Sequence, residues 1–226
     1  MVLLGSFAGD VDDPVVVLHA HQDDETLTLG ACLEAEADAG RTTITVLGTD
    51  GRNSGVRTQL GLTPAKFSAA RDAEYLAACA ALAVDHVFYA GGLDGALSLE
   101  QARAQVSTWV ARFPRARFKA QSWIDSHRDH RALGTALFEA WEASGRTLDC
   151  RWYVKRDDWD RAPSGAWFQA GGPRVLAAAA EYRKEDPAAG RYGIGYRSVG
   201  RSFEELLADN RTLVHTGDAT PAPTPT

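Results

Sequence analysis

Four of the chain's six histidines fall in two short polar segments, and both segments also carry carboxylates. The first is His19-Ala20-His21-Gln22-Asp23-Asp24-Glu25 and the second is His127-Arg128-Asp129-His130. Imidazole and carboxylate are good zinc ligands, and a catalytic zinc takes three protein ligands and keeps one position open. His21 and Asp24 can converge from one turn, and His130 can supply a third ligand from elsewhere. Asp23 then points to a different side from Asp24, where it is free to act as a general base toward water. His127, three residues before His130, can face the same pocket without ligating and can donate a proton or stabilise an oxyanion. Each fragment alone has a blander reading, because carboxylates after a strand often only cap a helix. Their combination points to a metal.

Hydrophobic patterning supplies the elements that must position these groups. Val15–Ala20 is a short β-branched apolar run, which reads as a buried parallel strand. A helix over 26–39 follows, ended by Gly40. Thr42–Leu47 reads as a second strand, and Thr63-Pro64 opens a helix to about Ala83, with Thr as N-cap and Pro in the first turn. His86–Tyr89 is a third strand. Ser98 caps a helix to about Phe113, with Glu100 in its first turn. Arg117–Ile124 is a fourth strand, His130–Ser144 a helix and Cys150–Lys155 a fifth strand. Further helices are expected over Pro173–Lys184 and Phe203–Asn210. Alternating strands and helices predict an α/β, Rossmann-like fold, a mostly parallel sheet with helices on both faces. In such a sheet ligands bind at the carboxyl ends of the strands, which is where both polar segments lie.

The 226 residues suit one α/β domain. We read residues 1–216 as one domain with a core over about 14–155, and the Pro/Thr-rich 217–226 as a disordered tail. A net charge of −6 disfavours nucleic acid as a partner, since phosphate binders carry basic surfaces. No stretch approaches the length of a membrane span, and the first ten residues make a poor signal peptide. The three cysteines, 32, 79 and 150, form no CxxC pair and suit buried thiols, which leans towards a cytoplasmic protein.

On these residues the sequence resembles the PIG-L/LmbE-type deacetylases. That family shows a strand ending in His-Pro-Asp-Asp-Glu and a later His-Pro-Asp-His, matched here by 21–25 and 127–130. Weaker matches are the turn Thr49-Asp50-Gly51, the pair Arg71 and Glu74 in the second long helix, and Asp94-Gly95. The resemblance covers roughly 14–155. It implies a Rossmann-like hydrolase dependent on zinc (Zn2+) that removes acetyl from N-acetylglucosamine-type amides. In that reading His21, Asp24 and His130 hold the zinc, Asp23 is the base and His127 the acid or oxyanion stabiliser. Arg71 and Asp94 contact sugar hydroxyls. Two departures are Gln22 and Arg128, where the family has proline. No tyrosine stands in the loop 124–126 before His127, where some members place one.

The partner expected is therefore a small N-acetylated sugar, with neither nucleic acid nor membrane. Two other readings compete: an amidase removing a larger acyl group, and a metal- or nucleotide-binding Rossmann module without hydrolysis. The second needs a phosphate-cradling glycine loop, and no GxGxxG follows the first strand. Among the other residues, His19 is expected as a hydrogen-bonded core group and His215, near the tail, as solvated. The tryptophans 123, 152, 159 and 167 suit a core better than a sugar-stacking wall.

Overall fold

Val15, Val16, Val17 and Leu18 are all fully buried, as a strand covered on both faces requires. The structure is a computed structural model that describes residues 12–219 and the backbone of Val2 and Leu3. Its strands are β1 (Val2–Leu3), β2 (Val15–His19), β3 (Thr43–Thr49), β4 (His86–Gly92), β5 (Arg117–Gln121), β6 (Asp149–Val154), β7 (Trp167–Ala170), β8 (Glu185–Asp186), β9 (Arg191–Tyr192) and β10 (Arg211–His215). Its α-helices are α1 (Asp24–Leu27), α2 (Gly30–Asp38), α3 (Val56–Gln59), α4 (Pro64–Ala81), α5 (Leu99–Arg112), α6 (Arg128–Ala143), α7 (Pro173–Glu181) and α8 (Ile194–Ala208).

Eight strands form one sheet in the order β1-β4-β3-β2-β5-β6-β10-β7. The central run from β4 to β6 is parallel. β1, β10 and β7 add antiparallel edges. The period of two along β2 divides the core. Val16 and Leu18 pack with Val106, Trp109, Leu133 and Leu137 of α5 and α6 on one face. Val15 and Val17 pack with Leu33, Leu82, Val175 and Phe203 on the other. Helices thus cover both faces, as the alternation of elements predicts.

The chain runs from β2 outward to β3 and β4, then returns to place β5 on the opposite side of β2. Neighbouring strands whose connections leave in opposite directions open a crevice at their carboxyl ends, the switch point of a doubly wound sheet. Residues 20–25 follow β2 and residues 122–130 follow β5, so the two polar segments meet there.

Several boundaries differ from the sequence reading. The helix expected over 26–39 begins earlier and divides into α1 and α2, because the Asp23 carbonyl already accepts Thr26 and Leu27 N–H. The fourth strand stops at Gln121 rather than Ile124, and α6 starts at Arg128 with His127 as its cap. α6 seats against that strand end at Gly134, where a Cβ would collide with the Gln121 carbonyl. The expected Phe203–Asn210 helix is the second half of α8, whose two halves meet at a kink at Val199. β7 and β10 are additional strands beyond the five that the sequence pattern gives. His215 is a correction: it lies in β10, fully buried, with Nε2 2.7 Å from Ser122 Oγ and its ring stacked on Trp152. Trp123 and Trp152 belong to the same aromatic cluster. Of the proposed tail, residues 220–226 lie outside the described residues. Among the described residues no helix is long and apolar enough to cross a membrane.

Candidate metal and catalytic centre

His21 is the hinge of the site, because its two ring nitrogens face different partners. Nε2 lies 3.3 Å from Asp94 Oδ1 and 3.2 Å from Asp129 Oδ2. Between two carboxylates that nitrogen carries the proton. Nδ1 then presents its lone pair to His130 Nε2 at 3.1 Å and to Asp24 Oδ2 at 3.4 Å. His130 repeats the arrangement in reverse. Its Nδ1 donates to Asp125 Oδ2 at 3.0 Å, and its Nε2 lies 3.3 Å from Asp24 Oδ2.

Three electron-pair donors therefore converge, two imidazole nitrogens and one carboxylate oxygen, at separations of 3.1 to 3.4 Å. Ligands about 2.0–2.1 Å from a tetrahedral zinc stand about 3.3 Å apart, so the triangle fits such an ion. Facing lone pairs repel one another unless a cation lies among them. The side chains around them supply the orienting carboxylates that metal-bound histidines usually have, Asp129 and Asp94 behind His21 and Asp125 behind His130. Asp129 is itself fixed by the Gly95 and Leu97 amides at 2.7 and 3.2 Å. Donor atoms of His127 also come within 4.8 Å of those of His21 and His130, and His21, Asp94 and Asp129 form a second such group.

The electrostatics follow the geometry. Burial opposes charge on His130, but the carboxylates of Asp24 and Asp125 outweigh it and hold the ring up to about 9. Burial likewise works against His21, and Asp129, Asp24 and Asp94 raise it well above the ordinary histidine value. Burial would raise Asp24, yet the two rings hold it well below the carboxylate range. Asp23 behaves differently: burial pushes it up to about 7 against the pull of Arg71. Two neighbouring carboxylates thus differ sharply, one a persistent anion and one able to take up a proton near neutrality.

Arg71 donates to Asp23 Oδ2 at 3.0 Å, to the Gln22 carbonyl and to the Gly51 carbonyl at 3.0 Å. It orients Asp23 and ties together the loops after β2 and β3. Asp94, besides meeting His21, accepts the Asn53 N–H at 2.9 Å. Both residues also line the pocket. His127 is half-buried at the N-terminus of α6, and its Nδ1 accepts the Asp129 N–H at 3.3 Å. That acceptor role leaves Nε2 to carry the proton of the neutral ring. Burial, and then the neighbouring His130 and His21, lower its pKa below the ordinary value. His19 is a core group, bonded to Tyr75 OH at 2.9 Å and to the His21 carbonyl at 3.0 Å.

The donor triangle, Asp23, Arg71, Asp94 and His127 line a cavity of about 350 Å³. Its walls include Ser54, Lys155, Ser198, Val199, Ser202 and Leu206. The last four belong to α8, whose N-terminal amides at Ile194 and Gly195 are held by Glu74 at 2.8 and 2.9 Å. Sequence reasoning named Asp129 only as a neighbour of His127, and passed over Asp125 and the α8 wall. Asp125 stands five residues ahead of His130, where any helix-start acid could stand, and neither it nor the α8 residues carry a signal in the sequence.

The model of the family described as GlcNAc-PI de-N-acetylase (PIG-L) matches residues 16–141. A search of curated proteins finds no match. Solved structures share the fold at low identity. A deacetylase triple mutant involved in the teicoplanin biosynthetic pathway aligns with a TM-score of 0.65 at 16% identity, covering 89% of this chain and 96% of its own. The N,N'-diacetylchitobiose deacetylase of Pyrococcus horikoshii gives 0.63 at 17%, covering 91% and 84%. The 4-carboxy-2-hydroxymuconate hydratase of Pseudomonas putida gives 0.59 at 15%, covering 95% and 99%. The same fold therefore carries more than one reaction, and the site must decide between them.

Proposed function

Since the chain belongs to the GlcNAc-PI de-N-acetylase (PIG-L) family, whose members are deacetylases, we propose that it hydrolyses the N-acetyl amide of an N-acetylglucosamine-type sugar or sugar conjugate, giving the free amine and acetate, with a zinc ion held by His21, Asp24 and His130. The observation that carries this reading is the triangle of two imidazole nitrogens and one carboxylate oxygen, 3.1 to 3.4 Å apart, beside a second carboxylate that stands outside it, in a cavity at the sheet's switch point.

When bound, a divalent ion there supplies Lewis-acid polarisation of the amide carbonyl and a lowered pKa for water. Asp23 acts as the general base, its basicity raised by burial and its carboxylate aimed by Arg71. His127, with its proton on Nε2, donates toward the carbonyl oxygen as negative charge builds and then toward the departing nitrogen. Asp94 and Arg71 line the pocket, where sugar hydroxyls can meet them beside their internal contacts. Residues 1–216 act in this reading as one domain, supported by β10 joining the same sheet as β2. A cytoplasmic site of action is supported by three buried cysteines that are all free thiols.

The test is an amine-release screen of zinc-loaded protein over N-acetylglucosamine conjugates, with the released acid identified. Stoichiometric acetate, abolished by a chelator and restored by zinc, is the expected result. Release of a longer acid would favour the larger-acyl amidase, and no amine from any conjugate would refute hydrolysis of such amides.

A further inference from the structure

Asp23 has φ 137° and ψ −27°. A residue with a Cβ keeps such a backbone only where its surroundings fix it. The positive φ turns Asp23 off the helical path that Asp24 begins, so the two adjacent carboxylates serve different sides of the pocket. The Asp23 carbonyl is held by Thr26 and Leu27 N–H at 3.1 and 2.8 Å, as any helix start would hold it. The unusual element is its amide, which donates to Glu25 Oε2 at 3.0 Å.

Glu25 is fully buried and none of its hydrogen-bond partners is a cation. Its other oxygen accepts Thr26 Oγ1 at 2.5 Å and the Tyr182 hydroxyl at 2.8 Å. Thr26 is a sequence neighbour and moves with Glu25. Tyr182 comes from 157 residues away, at the end of α7, fully buried with its ring 5.1 Å from that of Phe203. It lies beyond the stretch 16–141 that the family model matches. A buried carboxylate turns toward whatever donors it has, so the one distant donor fixes where Glu25 points.

We propose that Tyr182 is a positioning residue: through Glu25 it holds the Asp23 amide, and with it the direction of the Asp23 carboxylate. The inference rests on the reading of Asp23 as the base. It makes the C-terminal helices part of the catalytic apparatus rather than a cover for the sheet.

The test compares the zinc-loaded parent with Tyr182→Phe, Glu25→Gln and Glu25→Ala, with Tyr196→Phe as a control whose hydroxyl meets surface-exposed Glu204. Amine release from N-acetylglucosamine conjugates, zinc per chain by mass spectrometry and a crystal structure of Tyr182→Phe are the readouts. Tyr182→Phe is expected to lower kcat on the order of 10- to 100-fold with KM and zinc content unchanged, as small misplacement of a reacting group does. In its crystal structure φ of Asp23 leaves the positive region. Glu25→Gln, which keeps an acceptor for the amide and a partner for the hydroxyl, retains at least about tenfold more kcat than Glu25→Ala. Equal losses in those two would show that the charge of Glu25 matters rather than its hydrogen bonds. An unmoved φ, an unchanged kcat or a loss of zinc in Tyr182→Phe would each overturn the proposal. If the parent releases no amine, the deacetylase reading fails, and the φ of Asp23 in the variant crystal alone decides for or against Tyr182.

Discussion

Asp23 and Asp24 share a sequence neighbourhood but not an environment. Asp24 lies against two imidazoles, 3.3 and 3.4 Å away, while Asp23 has a guanidinium at 3.0 Å and no histidine partner. Asp24→Ala is therefore expected to lose metal, whereas Asp23→Asn keeps its metal and loses at least about 100-fold in rate, the scale of a missing general base. Metal content and kcat measured together check this, and metal loss in Asp23→Asn would reverse the roles. His127→Ala should likewise slow the reaction at constant metal content, since its Nδ1 is occupied by the Asp129 amide. Asp125 is assigned a supporting part, so Asp125→Asn should weaken metal binding about 10- to 100-fold, as lost orienting partners of a histidine ligand do. A competition titration with a chromophoric chelator measures it. The donors themselves were legible in the sequence because histidine and adjacent carboxylates are rare chemistry in a strand-end turn. Their supports were not: Asp125 and Asp129 look like ordinary helix-start acids until the fold turns them onto His130 and His21. Arg71 was legible as part of the site, but its hold on Asp23 depends on how α4 crosses the loop after β3.

At the scale of elements, α4 joins the two halves of the pocket. Arg71 reaches Asp23 from one turn, and Glu74 from the next accepts the amides of Tyr192, Ile194 and Gly195 at 3.2, 2.8 and 2.9 Å. The second contact fixes the start of α8 and so the wall formed by Ser198, Val199 and Ser202. Removing a buried acceptor strands its donors at about 1–3 kcal/mol each. Glu74→Ala is expected to raise KM by about tenfold or more while metal content stays unchanged, because the wall shifts and the donor triangle does not. Steady-state kinetics with metal analysis test this, and a variant with unchanged KM would disconnect α8 from substrate binding. The parallel core was legible because β2 and β3 are runs rich in β-branched residues and the helices carry recognisable caps at Thr63 and Ser98. α8 was only half legible, since Gly193, Gly195 and Gly200 interrupt its apolar pattern and Val199 breaks its backbone. β10 is five residues long, too short for its alternation to stand out beside a polar tail.

For the whole molecule, burial of His215 predicts a stability that falls with acid. Burial lowers its pKa to about 4 from an ordinary 6.5, so the folded ring stays neutral where the unfolded ring takes a proton. Stability contributed by the neutral ring is present above pH 6.5 and is lost as pH falls towards 4, at up to about 1.4 kcal/mol per unit. Guanidinium unfolding of chelated parent and His215→Asn at several pH values measures the difference. The parent should lose about 3 kcal/mol more than the variant over that range, and parallel curves would show that His215 does not titrate as its surroundings require. Two other buried histidines, His21 and His130, carry the proposed metal site. Anomalous diffraction at the zinc edge from zinc-loaded crystals tests it most directly. One peak is expected within about 2.0–2.2 Å of His21 Nδ1, His130 Nε2 and Asp24 Oδ2, with Asp23 and His127 outside ligating distance. A peak at His21 Nε2 with Asp94 and Asp129, or one that takes His127 in place of Asp24, would contradict it.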